Sequence, residues 1–452
     1  MQDATALAAA IDLGRTSASE AMAASLAACA AREDLGAIVH LDHDMARAGA
    51  AAADDAAADG RGPFHGVPFL MKDLGSTVAG LPSAAGALAF RRLGRIPEVH
   101  SDFGRAIRAA GLIPFGVTAT PPFGLSLSCE AEGLPPTCNP WDKARTPGGS
   151  SGGAAAAVAA GLVALAHATD AAGSIRVPAA CCGLTGLKPS RGAMPGGPGF
   201  ENYLMGIAAE LVLARSVRDV ATAFAALAYP MPRAPLPQTP RIGLARPARC
   251  DMAQLRAAKD AAKSLEAAGC TLHDVDAPDA LGAAAHGIAH RIFAVSQADW
   301  LSALNVDPRD VPALAAAFAD EGRAMPATAL FALTREMEQV ADSARALFAE
   351  ADALVMPVLA HAPPPVGTFA LDGKDPAAHM ARLEAFAPNA ALANVAGLPA
   401  LALPFGMDEG LPLGVQLVGP RGADGTLLHL AALVEARAPA LSFPAPIAGL
   451  PA

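Results

Sequence analysis

Aromatic and basic residues are both scarce in this chain. Aromatics make up 4% of its 452 residues, with two tryptophans and two tyrosines, and much of the 53% hydrophobic share is alanine. Alanine favours helices and close packing of small side chains. The 33 Lys and Arg residues are outnumbered by 43 Asp and Glu residues, which gives a net charge of −10. This balance provides no basic surface for nucleic acid or an anionic membrane, so binding to either is disfavoured.

Long apolar runs, a basic leader and a cysteine framework are missing as well. The clearest apolar run, residues 152–166, is mostly alanine and falls short of the roughly 20 residues that a membrane span needs. A longer uncharged stretch, residues 385–407, is interrupted by three prolines. Residues 1–12 carry acidic but no basic side chains, unlike a secretory signal. The seven cysteines are few and odd in number, which suits a reducing compartment. We therefore expect a soluble cytoplasmic protein.

Local differences in amino-acid composition divide the chain into four segments. Residues 1–60 are alanine-rich with interspersed charges and predict helices. Residues 61–228 bring glycine, proline and short apolar runs, which predict strands and turns. Residues 229–240 form a proline-rich linker. Residues 241–452 begin with a predicted strand, helix and strand in a βαβ-like unit.

A glycine-rich turn with two serines, residues 148–153, is a first candidate for chemistry. It leads into residues 154–166, which we predict to be one buried helix that carries His167. The turn would then lie at a helix N-terminus, a place suited to an anion or an oxyanion. Its Gly-Gly-Ser-Ser-Gly pattern also matches the nucleophile elbow of α/β-hydrolases, but no strand pattern precedes it. A serine nucleophile needs a base, and no histidine is placed in a motif beside this turn.

The sequence gives little sign of a metal or a cofactor. His286 and His290 are four residues apart and could share a helix face. However, Gly287 occupies the place where a zinc-protease motif has glutamate. The P-loop pattern that binds phosphate does not occur. We predict neither a metal nor a cofactor.

Five separated motifs carry a family resemblance: GVPFLMKD at residues 66–73, TPGGSSGG at 146–153, GSIRVP at 173–178 with GLKP at 186–189, NVAGLPA at 394–400, and GLPLGVQLVGP at 410–420. Together they resemble the amidase signature family, serine hydrolases of carboxamides that use two serines and a lysine. Ser150 and Ser174 lie 24 residues apart, the separation that this family keeps. The resemblance covers most of the chain, and it makes residues 61–228 the catalytic core.

The resemblance implies an α/β fold with a single large domain, in which a mixed, twisted central sheet is covered by helices on both faces. It identifies Ser174 as the nucleophile, Ser150 as a relay after a cis peptide bond, and Lys72 as the base. A buried lysine can act as a base because burial disfavours its charged form. A hydroxyl can relay a proton because it both donates and accepts. Four backbone amides match the family's oxyanion hole, those of Ala171, Ala172, Gly173 and Ser174.

Further residues have supporting roles in this interpretation. We expect Asp170 and Arg176 to form an ion pair that fixes the nucleophile loop. Ser151 either helps to orient Lys72 or caps the following helix. Leu127 and Cys129 match a stretch that lines the substrate pocket, although for Cys129 the alternative of a small buried thiol is favoured.

The predicted function is hydrolysis of a carboxamide C–N bond through a Ser174 acyl-enzyme, with release of a carboxylate and ammonia or an amine. One alternative is the glutamine-hydrolysing subunit of a tRNA amidotransferase complex, against which the prolines at 121 and 122 argue. Another is a catalytically silent binding protein on the same scaffold. The sequences Ala-Ala-Gly-Ser at residues 171–174 and Cys-Cys-Gly at residues 181–183 resemble those of family members that cleave aminohexanoate amides. Residues 284–350 contain no readable motif, so the substrate is unspecified beyond a small amide, and a homodimer is left open.

Overall fold

A computed structural model describes residues 2–57, 59–198, 203–230 and 237–451. Its strands are β1 (Ile38–Leu41), β2 (Pro68–Lys72), β3 (Ile113–Thr118), β4 (Leu165–Asp170), β5 (Thr185–Lys188), β6 (Ala209–Ala214), β7 (Arg241–Ala245), β8 (Thr271–Val275), β9 (Ala353–Pro357), β10 (Ala400–Asp408) and β11 (Leu411–Val418). These eleven strands form one sheet in the order β1-β3-β2-β4-β6-β5-β10-β11-β9-β7-β8. Strands from both halves of the chain therefore share a single sheet.

The sheet mixes parallel and antiparallel pairs. Strand β2 runs parallel to β3 and β4, and β7 runs parallel to β8 and β9. Antiparallel pairs, among them β4 with β6 and β10 with β11, connect these two parallel groups. Every residue of β2, β3, β4, β5 and β9 is buried, so both faces of the sheet's centre are covered. The predicted single α/β domain with a mixed central sheet is confirmed.

The helices are α1 (Ala4–Asp12), α2 (Ala18–Ala31), α3 (His43–Asp54), α4 (Leu88–Arg92), α5 (Asp102–Ala109), α6 (Gly152–Ala159), α7 (Arg176–Cys182), α8 (Val217–Leu227), α9 (Met252–Glu266), α10 (Asp279–Ala303), α11 (Ala313–Ala324), α12 (Ala327–Arg345), α13 (Pro376–Phe386), α14 (Ala390–Val395) and α15 (Asp424–Glu435). Several begin at side-chain caps. Ser17 and Glu20, for example, form a reciprocal capping box at the start of α2. All eight residues of α6 are buried, and its alanines allow this close packing.

The prediction of one helix over residues 154–166 is wrong. Helix α6 ends at Ala159, and the chain then turns and enters strand β4 at Leu165. Gly161 makes this turn with φ of 75°, and a Cβ there would lie 2.0 Å from the carbonyl oxygen of Pro446. His167 therefore lies on a strand and not on a helix. An alanine-rich run does not distinguish a buried helix from a buried strand, which explains the error.

Two other segment predictions also need comment. The helical prediction for residues 1–60 missed strand β1, at one end of the sheet, but the predicted unit of β7, α9 and β8 is confirmed. In the proline-rich stretch, residues 231–236 lie outside the described residues, and the described flanks contain neither helix nor strand. Among the described helices, none is both long enough and apolar enough to cross a membrane.

Candidate active site

Lys72 lies at the end of strand β2 and is 2% exposed. Its Nζ atom lies 2.7 Å from the Ser150 Oγ, 3.0 Å from the Ser151 Oγ and 2.7 Å from the Thr169 Oγ1. Thr169 belongs to β4, which runs parallel to β2 and ends at the same edge of the sheet. The serines lie in the turn before α6. The sheet and this turn together surround the lysine with three hydroxyl groups.

The environment of Lys72 disfavours its charged form. Burial lowers the pKa of its ammonium from 10.5 to about 7, although the nearby carboxylates of Asp170 and Glu210 act in the opposite direction. A substantial fraction of the side chain is therefore a neutral amine near pH 7. A neutral amine has a lone pair and can accept a proton.

One arrangement of the hydrogen bonds around Lys72 directs that lone pair at Ser150. The Ser151 hydroxyl donates to the Thr169 carbonyl oxygen at 3.2 Å, so it can only accept a hydrogen from Lys72. When the second N–H of the neutral amine goes to Thr169 Oγ1, its lone pair faces the Ser150 hydroxyl. Ser151 makes no side-chain cap to helix α6. Of its two predicted roles, the structure supports contact with Lys72.

Ser150 follows a cis peptide bond between Gly149 and Ser150, as the family resemblance implies. The Thr120 hydroxyl donates to the Ser150 carbonyl oxygen at 2.9 Å and holds this turn from one side. A Cβ on Gly149 would lie 2.4 Å from the carbonyl oxygen of Ser128. Only glycine fits at position 149, because the neighbouring loop packs directly against it.

A buried ion pair fixes the loop that carries Ser174. Asp170, at the end of β4, and Arg176, at the start of α7, are both completely buried, and the Arg176 Nε lies 3.0 Å from the Asp170 Oδ2. Burial alone would raise the pKa of the Asp170 carboxyl, but the charge of Arg176 holds this pKa below its ordinary value. Asn394 and Gln416 accept further hydrogens from the guanidinium. The expected structural ion pair is present.

The four predicted oxyanion-hole amides are not equivalent. The Gly173 amide already donates to the Asp170 Oδ1 at 2.7 Å, so it is not free to receive an oxyanion. The amides of Ala171, Ala172 and Ser174 have no acceptor among the described residues. The available donors are therefore these three. Gly173 instead has φ of 113°, and its amide ties the loop to the ion pair.

Ser150 and Ser174 open onto the same cavity, but their hydroxyls are not hydrogen-bonded to each other among the described contacts. Ser174 is 7% exposed, and its carbonyl oxygen accepts from the Ser151 amide at 3.3 Å. Catalytic hydrogen bonds often tighten only when substrate is bound. The Lys72 Nζ and the Ser150 Oγ are thus in contact, whereas no hydrogen bond joins the Ser150 and Ser174 hydroxyls among the described contacts.

The cavity at Ser174 encloses about 600 Å³ of empty space, including the part open to solvent. Most of its described lining is apolar, with side chains of Leu74, Phe123, Leu125, Leu127, Phe293, Met380 and Leu383. The one charged side chain in that lining is Asp170, which is paired with Arg176. Behind the wall, Trp300 packs against the rings of Phe123 and Tyr203, with centroid distances of 5.9 and 5.4 Å. The described lining is therefore mainly apolar, and it also carries the hydroxyls of Ser126, Thr169, Tyr203 and the two site serines.

The two predicted pocket residues have different surroundings. Leu127 lines the cavity. Cys129 is absent from the described lining, is fully buried, and lies 3.3 Å from the Thr137 hydroxyl. Its prediction as a pocket residue is wrong, because the chain turns Cys129 away from the cavity and packs it against Ala119 and Ala131. The alternative interpretation, a small buried thiol, is the one the structure shows.

The histidines have structural contacts. The His167 Nδ1 accepts from the Lys72 amide at 3.3 Å, and its Nε2 lies 3.0 Å from Glu210. His286 and His290 contact different partners, the Ala387 carbonyl oxygen and Glu321. Within the described ranges, the chain has no group of three or more His, Cys, Asp or Glu residues that could hold a metal ion. The nucleophile elbow also fails here, because the residues before Gly148 form only an isolated bridge and no strand.

Thr169 and His286 are among the site residues that were not predicted from the sequence. Thr169 contacts Lys72. The sequence feature that could have indicated this contact is the position of Thr169 two residues after His167, on the strand that runs beside β2. His286 lines the cavity although it is more than a hundred residues from either serine, and it was considered only as a metal ligand. No local pattern connects it with the serines. Long-range packing of α10 against α14 brings it there.

Comparisons with known proteins agree with this geometry. The family model described as Amidase matches residues 20–428. A 6-aminohexanoate-cyclic-dimer hydrolase from Paenarthrobacter ureafaciens is 32% identical, covering 97% of this chain and 95% of the relative. A solved structure of 6-aminohexanoate cyclic dimer hydrolase superposes with a TM-score of 0.89 at 31% identity, covering 97% of each chain. The native peptide amidase from Stenotrophomonas maltophilia gives a TM-score of 0.81 at 26% identity, covering 98% of each chain. With a buried lysine next to two serines, the chain belongs to the amidase signature family and hydrolyses a carboxamide C–N bond.

Proposed function

We propose that Ser174 is the nucleophile, Ser150 the proton relay and Lys72 the general base of this amide hydrolysis. Ser174 Oγ attacks the amide carbon and passes its proton to Ser150, whose own proton goes to the Lys72 Nζ. The same route in reverse protonates the leaving nitrogen as the C–N bond breaks. Water then attacks the acyl-enzyme and releases the carboxylate. The observation that carries this proposal is the 2.7 Å contact between the Lys72 Nζ and the Ser150 Oγ, at a lysine with a pKa of about 7.

The amides of Ala171, Ala172 and Ser174 are proposed to stabilise the negative charge of the tetrahedral intermediate. They are free of other acceptors among the described residues, and they lie on a loop held by the buried Asp170–Arg176 pair. Such a fixed set of donors needs no reorganisation when charge develops on the substrate oxygen. Gly173 supports the loop through its hydrogen bond to Asp170 and does not belong to the hole.

We further propose that the substrate is a small, uncharged amide with an apolar group beside the scissile bond. The apolar lining supports this class, because a charged group in it would lose its hydration without a partner. Glutamine carries an ammonium and a carboxylate, and no unpaired charged side chain in the described lining would bind either. This disfavours the amidotransferase alternative. The names of the relatives, a cyclic dimer hydrolase and a peptide amidase, fit the proposed class.

A labelling experiment tests the nucleophile. We expect a fluorophosphonate to modify Ser174, as located by mass spectrometry of the digested protein. Ser174→Ala should lose both labelling and turnover of a panel of aliphatic, aryl and ω-amino-acid amides. Ser150→Ala should retain a small residual activity, since a water can partly bridge the gap to Lys72. Labelling that moves to Ser150, or turnover that persists in Ser174→Ala, would refute the assignment.

We also propose a cytoplasmic location. All seven cysteines are free, and five of them, Cys29, Cys129, Cys181, Cys182 and Cys270, are buried thiols whose pKa is raised by burial. Free buried thiols suit a reducing compartment. Fractionation of the source cells, followed by detection of the protein, tests this proposal.

A further inference from the structure

Glu210, on strand β6, carries a buried carboxylate that the proposed proton transfers do not use. It is 1% exposed, and its Oε2 accepts from the Ser76 amide at 3.1 Å and lies 3.0 Å from the His167 Nε2. Its Oε1 accepts from the Ser76 hydroxyl at 2.5 Å. Three such donors stabilise the ionised form of a carboxyl group. No lysine or arginine side chain pairs with Glu210 among the described residues, and a buried charge without a counter-ion is costly.

His167 connects Glu210 to the backbone of the proposed base. The Lys72 amide donates to the His167 Nδ1 at 3.3 Å, so the ring hydrogen is on Nε2 and points at Glu210. Strands β2 and β4 pair at one register position, Leu70 with Ala166. Beyond that position, the His167 ring takes the place of a backbone acceptor for Lys72. The Glu210–His167 pair therefore holds the backbone from which the Lys72 side chain extends.

The charges near Lys72 leave that of Glu210 without compensation. Burial lowers the pKa of Lys72, and the carboxylates of Asp170 and Glu210 act against this effect. Asp170 is paired with the guanidinium of Arg176, whose positive charge offsets its own. Burial raises the pKa of the Cys129 thiol to about 11, so this neighbour of Lys72 is uncharged near pH 7. Among the described groups, Glu210 is therefore the uncompensated negative charge near the base.

The elements packed against Glu210, His167 and Lys72 bring no counter-charge within the described ranges. Helix α6 contains only glycine, alanine and valine. Helix α5 places the Phe103 ring 5.1 Å from the His167 ring. The charged side chains of the adjoining elements have other partners or face solvent: Glu20, Asp73, Asp102, Arg105, Arg108, Lys188, Arg218 and Asp219. None of them is paired with Glu210.

We propose that Glu210 is a positioning residue of the amide hydrolysis, which holds the His167 ring against the Lys72 amide and favours the ammonium that forms when Lys72 accepts the proton of Ser150. The inference rests on the proposed role of Lys72. In this step the O–H bond of Ser150 breaks and an N–H bond forms on the Lys72 Nζ, while Glu210 keeps its charge. A negative charge that is fixed near the base makes the neutral amine a stronger base without any reorganisation.

The test removes the charge of Glu210 and keeps its contacts. In Glu210→Gln, the amide oxygen in the place of Oε2 accepts from the Ser76 amide and from His167, and the NH2 group in the place of Oε1 donates to the Ser76 hydroxyl. The readout is kcat/KM for a neutral amide at pH 6 and at pH 8. In the wild-type protein, a Lys72 pKa of about 7 gives a rise of about tenfold between these pH values, which we call the pH step.

Loss of the charge should move the midpoint of the pH profile about one pH unit lower. The neutral fraction of Lys72 would then be about one-half at pH 6, so the pH step should shrink from about tenfold to about twofold. At pH 8, kcat/KM should fall about threefold, because the amine is a weaker base. A purely structural role would lower kcat/KM by the same factor at both pH values. The pH step is a ratio within one protein, so a reduced amount of folded variant does not change it.

Asp424, at the start of α15, provides a matched control. Its buried carboxylate accepts from the amide and the hydroxyl of Ser190 at 2.8 and 2.5 Å, the same kinds of contact that Glu210 makes with Ser76. It does not contact Lys72 or the hydroxyl partners of Lys72. We expect Asp424→Asn to keep the pH step at about tenfold. Glu210→Met removes the charge with a side chain of similar length and serves if the Gln variant does not fold.

The outcomes distinguish this inference from the proposed function. A pH step that stays at about tenfold in Glu210→Gln or in Glu210→Met would overturn the role of Glu210 and leave Lys72 as the base. A pH step that shrinks equally in Asp424→Asn would also overturn it, because the effect would then not be specific to the charge near Lys72. Absence of the pH step from the wild-type protein would refute the proposed role of Lys72, and the inference would fall with it.

Discussion

The pH dependence of catalysis gives the sharpest test of the Lys72 assignment. Burial holds the pKa of this lysine at about 7, compared with 10.5 for an ordinary lysine. The difference corresponds to about 5 kcal/mol against the charged form. With a pKa of about 7, the neutral fraction of Lys72 rises from about one-tenth at pH 6 to about nine-tenths at pH 8. We therefore expect kcat/KM to increase about tenfold over this range and to level off above it.

An unperturbed lysine would give a different curve. At pH 8 its neutral fraction would be well below about one-hundredth, and kcat/KM would keep rising about tenfold per pH unit towards pH 10. The assay is kcat/KM for a neutral amide, measured from pH 5 to pH 10. Lys72→Ala and Lys72→Arg should both lose most of the activity, because a guanidinium keeps the charge but does not deprotonate in this range.

The chain offers a matched control in a second buried lysine. Burial also lowers the pKa of Lys188 to about 7, but its Nζ donates to the Pro189 carbonyl oxygen and does not contact Ser150 or Ser174. Lys188→Met should therefore still show the rise in kcat/KM between pH 6 and pH 8, even at a lower overall activity. Loss of the step in Lys188→Met, or substantial activity in Lys72→Arg, would mean that Lys72 is not the base.

Three further predictions follow from the contacts at the site. Thr169→Val removes one acceptor of the Lys72 ammonium, so kcat/KM should fall about tenfold and the pH step should move to lower pH, while Thr169→Ser should restore both; an unchanged pH profile in Thr169→Val would contradict this. Asp170→Asn leaves the guanidinium of Arg176 buried without a counter-charge, so the free energy of unfolding should decrease by about 3–5 kcal/mol, and a shift in urea midpoint worth less than about 1 kcal/mol would be inconsistent with the pair. Finally, EDTA should leave the activity unchanged, because the proton transfers are assigned to side chains, and activity restored by a divalent cation after EDTA treatment would argue for a metal.

Much of the fold class could be predicted from the sequence because local patterns are tied to local physics. The strand before Lys72 follows from its apolar run bounded by glycine and proline, and the unit of β7, α9 and β8 follows from alternating short apolar segments and an amphipathic helix. The run at 152–166 shows the limit of this approach. Alanine suits both a buried helix and a buried strand, and the turn at Gly161 is required by packing against Pro446, which is distant in sequence.

By itself, the sequence determined which chemistry was available. The family resemblance carried by the separated motifs singled out Lys72, Ser150 and Ser174 as a proposed set, and these residue types permit proton transfer only if the lysine is deprotonated. The tertiary structure decided how that chemistry is arranged. Parallel strands β2 and β4 bring Thr169 to Lys72, and the Asp170 carboxylate takes the Gly173 amide out of the predicted oxyanion hole. The same packing turns Cys129 away from the cavity and places His286 in its wall. These are long-range contacts, and sequence patterns encode them only through the complete fold.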